Sequence, residues 1–167
     1  MKKFFFLASF VVFTLAAQAK IWRVNNNPGV AANFTTLQAA HDGAAAGDTI
    51  HIEPSPTVYG DVNCSKRLTW LSIGAFLTEN PGIQYSTIAA IVGTLYINAG
   101  SAGSIISVNS DGYIYIYTDN ISVLRSKVLY SFDSSVNAFN TIVSQCYVSG
   151  YINLIGANSI VTNNICS

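Results

Sequence analysis

Charge is what this sequence has least of. Asp, Glu, Lys and Arg make up 10% of 167 residues and form no run of one sign. A nucleic-acid surface needs clustered Lys and Arg to meet phosphates, so that class of partner is excluded. Long apolar runs are also missing. The longest, residues 4–17, covers fourteen positions and falls short of the ~20 that cross a bilayer. Cysteine is scarce and odd in number: Cys64, Cys146 and Cys166 match no metal-ligand spacing and cannot all pair. Buried thiols are expected, with no metal and no cofactor.

What is present begins with an address. Lys2 and Lys3 precede the apolar run, and Ala17-Gln18-Ala19 supplies a small-x-small cleavage site. Together they form the three parts of a secretory signal, with Lys20 as the first mature residue. Residues 1–19 are therefore expected to be removed, giving a secreted or cell-surface protein without a membrane span. The remaining 148 residues carry six basic and eight acidic side chains and suffice for one domain with a core. Their wealth of Ile, Val, Tyr, Ser, Asn and Thr is the composition of β-structure with polar turns.

A period of 18 to 19 residues runs through the second half. Ile105, Val123, Ile142 and Ile160 are spaced by 18, 19 and 18, and Leu95 and Ile97 recur as Ile114 and Ile116 after 19. Ile114 returns as Ile152 after 38, and "GYI" opens both "GYIYIYTDN" at Gly112 and "GYINLIGAN" at Gly150. The segments alternate apolar and polar, so they are strands and not helices. Short strands at this period predict a coil of parallel strands in which like side chains stack on like. Ile105, Val123, Ile142 and Ile160 are expected to form one buried ladder. Asn120, Asn140 and Asn158 precede the last three and are expected to form a turn ladder in left-handed geometry.

Residues 33–53 read differently. Phe34, Leu37, Ala40 and Ala44 form the stripe of a short amphipathic helix, with Thr35 and Gln38 in a capping-box pattern and Gly43 or Gly47 as its end. A strand follows, Ile50 and Ile52 facing one way and Thr49, His51 and Glu53 the other, before Pro54 and Pro56. A coil of strands exposes an apolar cross-section, and a helix rich in small residues can cover it. The expected organisation is a cap over residues 20–48 and coils over 49–167.

Phe34, Leu37, Gln38, Ala39, Ala40, Gly47, Asp48, Thr49, Ile50, Ile52, Tyr59 and Gly74 carry a resemblance. This stretch resembles the opening of secreted right-handed parallel β-helix proteins of the pectate-lyase-like superfamily. The wording "NNNPGVAANFTTLQAAHDGA" is similar to secreted proteins of Bacteroidetes-type bacteria. The resemblance implies an all-β, right-handed parallel β-helix with an N-terminal capping helix. It leaves chemistry open, because that superfamily includes lyases, hydrolases, esterases and adhesive stalks.

Lyases of that group hold calcium on several aspartates and use an arginine base. From residue 91 onward this chain has Asp111, Asp119 and Asp133, one arginine, Arg125, and one glutamine, Gln145. The aspartates fall at different points of the period, so no converging set is expected; Asp119 with Arg125 is the weak catalytic candidate. His41 and His51 suggest no triad. The binding candidates are Tyr96, Tyr113, Tyr115, Tyr117 and Tyr151. With Ile114 and Ile116 inside, the flanking tyrosines point outward, and Tyr96 should stack on Tyr115 one coil away. Such a row suits sugar rings, and equally it stabilises a sheet surface with no ligand. The leading expectation is a non-catalytic glycan-binding or adhesive protein. The alternatives are a polysaccharide lyase or esterase with degenerate catalytic coils, and a structural module. The final "NSIVTNNICS" starts another strand with no cap, so further coils or self-association are expected at that end.

Overall fold

In the computed structural model, which describes residues 18–73 and 88–167, every strand pairing is parallel and links successive turns of a coil. Strand β1 (Ile21–Val24) and helix α1 (Leu37–Gly43) form the first turn. Strands β2 (Thr49–Ile52) and β3 (Val62–Cys64) form the second. The third has three sides, β4 (Thr69–Ser72), β5 (Ile91–Val92) and β6 (Leu95–Ile97). The fourth repeats them as β7 (Ile105–Ser107), β8 (Asn109–Ser110) and β9 (Ile114–Ile116). The fifth has β10 (Ser122–Leu124), β11 (Lys127–Val128) and β12 (Phe132–Ser134). The sixth has β13 (Ile142–Ser144), β14 (Tyr147–Val148) and β15 (Ile152–Asn153). Strands β16 (Ile160–Thr162) and β17 (Ile165–Cys166) lie outermost.

The first sheet runs β1-β2-β4-β7-β10-β13-β16, the second β5-β8-β11-β14-β17 and the third β3-β6-β9-β12-β15. This is the expected right-handed parallel β-helix, all-β apart from one short helix. The expected cap segment supplies a strand as well as the helix, since β1 pairs with β2 along its whole length. Gly74 and residues 1–17 of the expected leader lie outside the described residues.

Burial shows where the sequence pattern holds and where it slips. On the third sheet Leu95 pairs Ile114, Ile114 pairs Phe132, and Ile97 pairs Ile116, all fully buried. That ladder was legible. On the first sheet Val123 is interior as expected, but the expected buried ladder slips by one residue at Ile105, Ile142 and Ile160. The interior column is Trp70, Ile106, Val123 and Val143, each fully buried. Ile105 and Ile160 are 44% and 50% exposed on the outer face, where Ile142 and Ser122 lie between them. Two apolar residues in a row, "II" and "IV", make either phase look plausible, and with a period of 2 a one-residue slip turns every side chain over.

Two corners are built from left-handed backbone. Asn120, Asn140 and Asn158 have φ of 58°, 54° and 60°, as their residue type suggests, and Asn140 Nδ2 donates to Asn120 Oδ1 at 3.1 Å. Arg125, Gln145 and Asn163 have φ of 50°, 57° and 54° and form a second such column between the first and second sheets. Their mixed side chains gave no signal. At a third corner the recurrent "GYI" is explained by crowding: a Cβ on Gly112 would lie 2.7 Å from Thr94 N, and one on Gly150 2.5 Å from the Tyr130 carbonyl oxygen. Buried serines satisfy backbone groups where strands stop, as when Ser126 Oγ accepts from Val108 N at 3.1 Å and Ser110 Oγ donates to the Gly93 carbonyl at 2.7 Å.

The cap is tied down by polar contacts. Thr36, one residue later than the capping pattern suggested, accepts from Ala39 N at 3.2 Å and is the N-cap of α1. Gln38 is thereby free to reach the second turn, where its Oε1 accepts from Asn63 N at 3.0 Å. His41 is buried; its Nε2 accepts from Ser65 N at 2.9 Å and its ring stacks on Trp70. Nδ1 meets Asp42 Oδ1 at 2.8 Å. Lys66 Nζ donates to the carbonyls of His41, Asp42 and Ala44, completing the helix C-terminus.

Candidate functional site

The outer face of the third sheet gathers the tyrosines. Ile114 and Ile116 point inward, so Tyr113, Tyr115 and Tyr117 stand outside. The register sets Tyr96 beside Tyr115, with ring centroids 5.5 Å apart and planes 17° from parallel. Tyr115 lies 5.4 Å from Tyr113 and 6.3 Å from Tyr117, with interplanar angles of 17° and 14°. Tyr130, which is not among the expected site residues, joins at 4.9 Å and 11° from Tyr113. Nearly parallel rings this close cannot lie edge to edge in one plane, so they form an offset stack. The stack presents ring edges, hydroxyls and the outer faces of its end members.

Beyond the stack the column turns polar. Tyr115 pairs with Asp133 and Asp133 with Asn153. Asp133 accepts from Asn153 Nδ2 at 3.0 Å through Oδ1 and from the Tyr151 hydroxyl at 3.3 Å through Oδ2. Each carboxylate oxygen therefore keeps a lone-pair site free. Tyr151 stands in the same outward row as Tyr113, two coils on, with Ser131 between them, and is 57% exposed. Burial among its neighbours, then the negative fields of Tyr113 and Asp133, raises the Tyr115 phenol above the ordinary tyrosine range. The charge of Asp133 and then its hydrogen bond raise Tyr151. Both hydroxyls are protonated donors at neutral pH and well above it.

No family model, curated protein or solved structure matches this chain. The site therefore stands on its own geometry.

Asp119 and Arg125, the weak catalytic candidates, serve different corners. Asp119 Oδ1 accepts from Phe139 N at 2.8 Å, and Arg125 Nε donates to Gln145 Oε1 at 3.1 Å. Each spends its functional group on the next coil. Among the described residues no three His, Cys, Asp or Glu side chains gather at a metal-binding distance, and no helix is long and apolar enough to cross a membrane. Cys64 and Cys146 are buried as expected, and burial pushes both thiols up, Cys64 the further. Cys166 differs. It is exposed on the outermost described turn.

Tyr130 could have been marked from sequence only with the true register in hand. The step from β9 to β12 is 18 residues, so Ser131 falls opposite Tyr113 and Tyr130 takes the corner beside it. The spacing of the acids does not mark Asp133, because its column partner is a tyrosine.

Proposed function

We propose that this protein is an exported β-helix of pectate-lyase-like type, secreted or held at the cell surface, that binds polysaccharide along its third sheet without cleaving it. The observation that carries this reading is the tyrosine stack, from Tyr96 through Tyr115 and Tyr113 to Tyr130, continuous across three successive coils. Rings already held by one another lose little freedom when a ligand arrives, and tyrosine offers rigid, amphipathic contact area. Sugar C–H groups pack on the end faces and edges, while hydroxyls exchange hydrogen bonds with the phenols, Asn63, Asp133 and Asn153. No described strand of the third sheet carries Lys or Arg. A neutral polymer suits such a face, and a polyanion would meet Asp133. Export is supported by the three-part leader, and the superfamily by the motif running from Phe34 to Tyr59.

Affinity electrophoresis through gels containing neutral glucans, xylans or mannans tests the proposal. The wild type should be retarded by at least one of them. Tyr96→Ala with Tyr115→Ala should weaken retention at least about tenfold, with circular dichroism unchanged. If no polysaccharide retards the wild type, the stack is sheet packing alone and the proposal fails. Incubation with polygalacturonate and calcium should give no unsaturated product; product formation abolished by Arg125→Ala would overturn the non-catalytic part.

A further inference from the structure

Asp48 is a nearly buried carboxylate, 5% exposed, held by three donors. Its Oδ1 accepts from the backbone nitrogen of Lys20 at 2.8 Å. Its Oδ2 accepts from Trp22 Nε1 at 2.8 Å and from Ala45 N at 2.9 Å. All three donors are neutral in the uncut chain, and neither described ion pair includes Asp48. The Lys20 ammonium, 3.5 Å above the Trp22 ring, favours the ionised carboxylate from a distance without pairing with it. A nearly buried anion with no direct ion-pair partner is costly to maintain. Lys20 is held from its other side too, because Thr49 N donates to the Lys20 carbonyl at 2.8 Å. The nitrogen facing Asp48 is therefore fixed in place, and it is the nitrogen that the leader's cleavage site would set free.

We propose that Asp48 is the receptor for the α-ammonium group created when the leader is cut between Ala19 and Lys20. In that hydrolysis water adds its hydroxyl to the Ala19 carbonyl carbon and a proton to the Lys20 nitrogen. The new carboxyl then releases a proton and the new amine takes one up. The atom 2.8 Å from Asp48 Oδ1 changes from a neutral amide to a cation, and a neutral hydrogen bond becomes a charge-assisted ion pair. The pair closes the junction of β1, the α1–β2 turn and the first sheet. Processing thus locks the fold at its capped end, and the leader-bearing chain lacks that lock while it is still to be exported. The inference rests on the export reading above, and the two can fail separately.

The test has two stages. The full chain is expressed in a Gram-negative host, and the mass of the exported product is measured. The expected product begins at Lys20; any other mature N-terminus overturns both the cleavage reading and the receptor. The chain beginning at Lys20 is then compared with one beginning at Gln18, each with and without Asp48→Asn, by urea unfolding. At pH 6.5 the Gln18 chain should show an unfolding constant about tenfold larger. The folded α-amine should titrate above its free value of about 7.7–8.0. Pairing raises it, so its contribution is complete below the free value and disappears as pH rises through the folded value. The two chains should converge above that point, and in the Asp48→Asn background at every pH. Equal stability at pH 6.5, or a difference that survives Asp48→Asn, overturns the receptor while leaving export intact. Should Asp48→Asn fail to fold, the titration of the α-amine in the Lys20 chain decides, an unshifted value overturning the proposal.

Discussion

Replacing Val143 with alanine, and separately Ile142 with alanine, tests the interior at its most ambiguous point. Val143 is fully buried in the column Trp70, Ile106, Val123, Val143, and Ile142 lies partly exposed on the outer face between Ser122 and Ile160. Removing two buried methyl groups from Val143 costs about 1.6 kcal/mol at ~0.8 kcal/mol per carbon. The cavity left in a closely packed coil adds about 1 kcal/mol, for a total near 2–3 kcal/mol. Ile142→Ala removes a larger side chain but mostly from the surface, so about 0.5–1 kcal/mol is expected, chiefly as lost strand propensity and contact with Ile160. Aspartate widens the gap. At position 143 an unpaired carboxylate would be desolvated by several kcal/mol, a large part of the ~5–15 kcal/mol that holds a domain together. At position 142 it would stay hydrated. Urea unfolding followed by circular dichroism gives both numbers, with the slope checked for constancy because coils can unfold piecemeal. If Ile142→Ala costs as much as Val143→Ala, or Ile142→Asp unfolds the chain and Val143→Asp does not, the register described above is wrong.

Three further outcomes follow from the corners, the carboxylates and the thiols. Asn140→Gly should change stability by a few tenths of a kcal/mol, and Asn140→Val should cost about 1–2 kcal/mol, because φ is 54° there; equal midpoints for the two would refute the left-handed corner. Hydrogen bonds from Lys20 N to Asp48 and from Arg23 to Glu53 hold both carboxylates below their ordinary range. Depressed groups stabilise the fold above the unfolded value, so thermal midpoints should fall as pH drops from about 4 through the folded values. In Asp48→Asn that acid loss should be smaller, and an unchanged acid profile would count against the assignment. A thiol reagent should modify Cys166 within minutes in the native protein and reach Cys64 and Cys146 only on unfolding, since these two are buried. Fast reaction of all three would show that the coil opens more readily than its packing implies.

The repeat, the parallel coil, the capping helix and the asparagine corner were all decided by local chemistry. Alternation with a period of 2 inside a period near 19 allows few other folds, and asparagine tolerates left-handed backbone better than other side chains. The stack of Tyr96 on Tyr115 was legible for the same reason, since parallel coils place equal phases side by side. Phase itself was not legible where two apolar residues adjoin. Whether Ile142 or Val143 faces inward depends on how the whole first sheet meets the other two, and only the packed interior makes that choice. Nor could spacing alone bring Tyr130 to Tyr113, Asp133 to Tyr151, or the Lys20 nitrogen to Asp48. Those meetings depend on turns of 18 to 20 residues whose small differences in length are absorbed at the corners. The sequence determined by itself that side chains would stack in columns; the closed coil decided which ones share a column, because a corner one residue longer or shorter moves every partner after it.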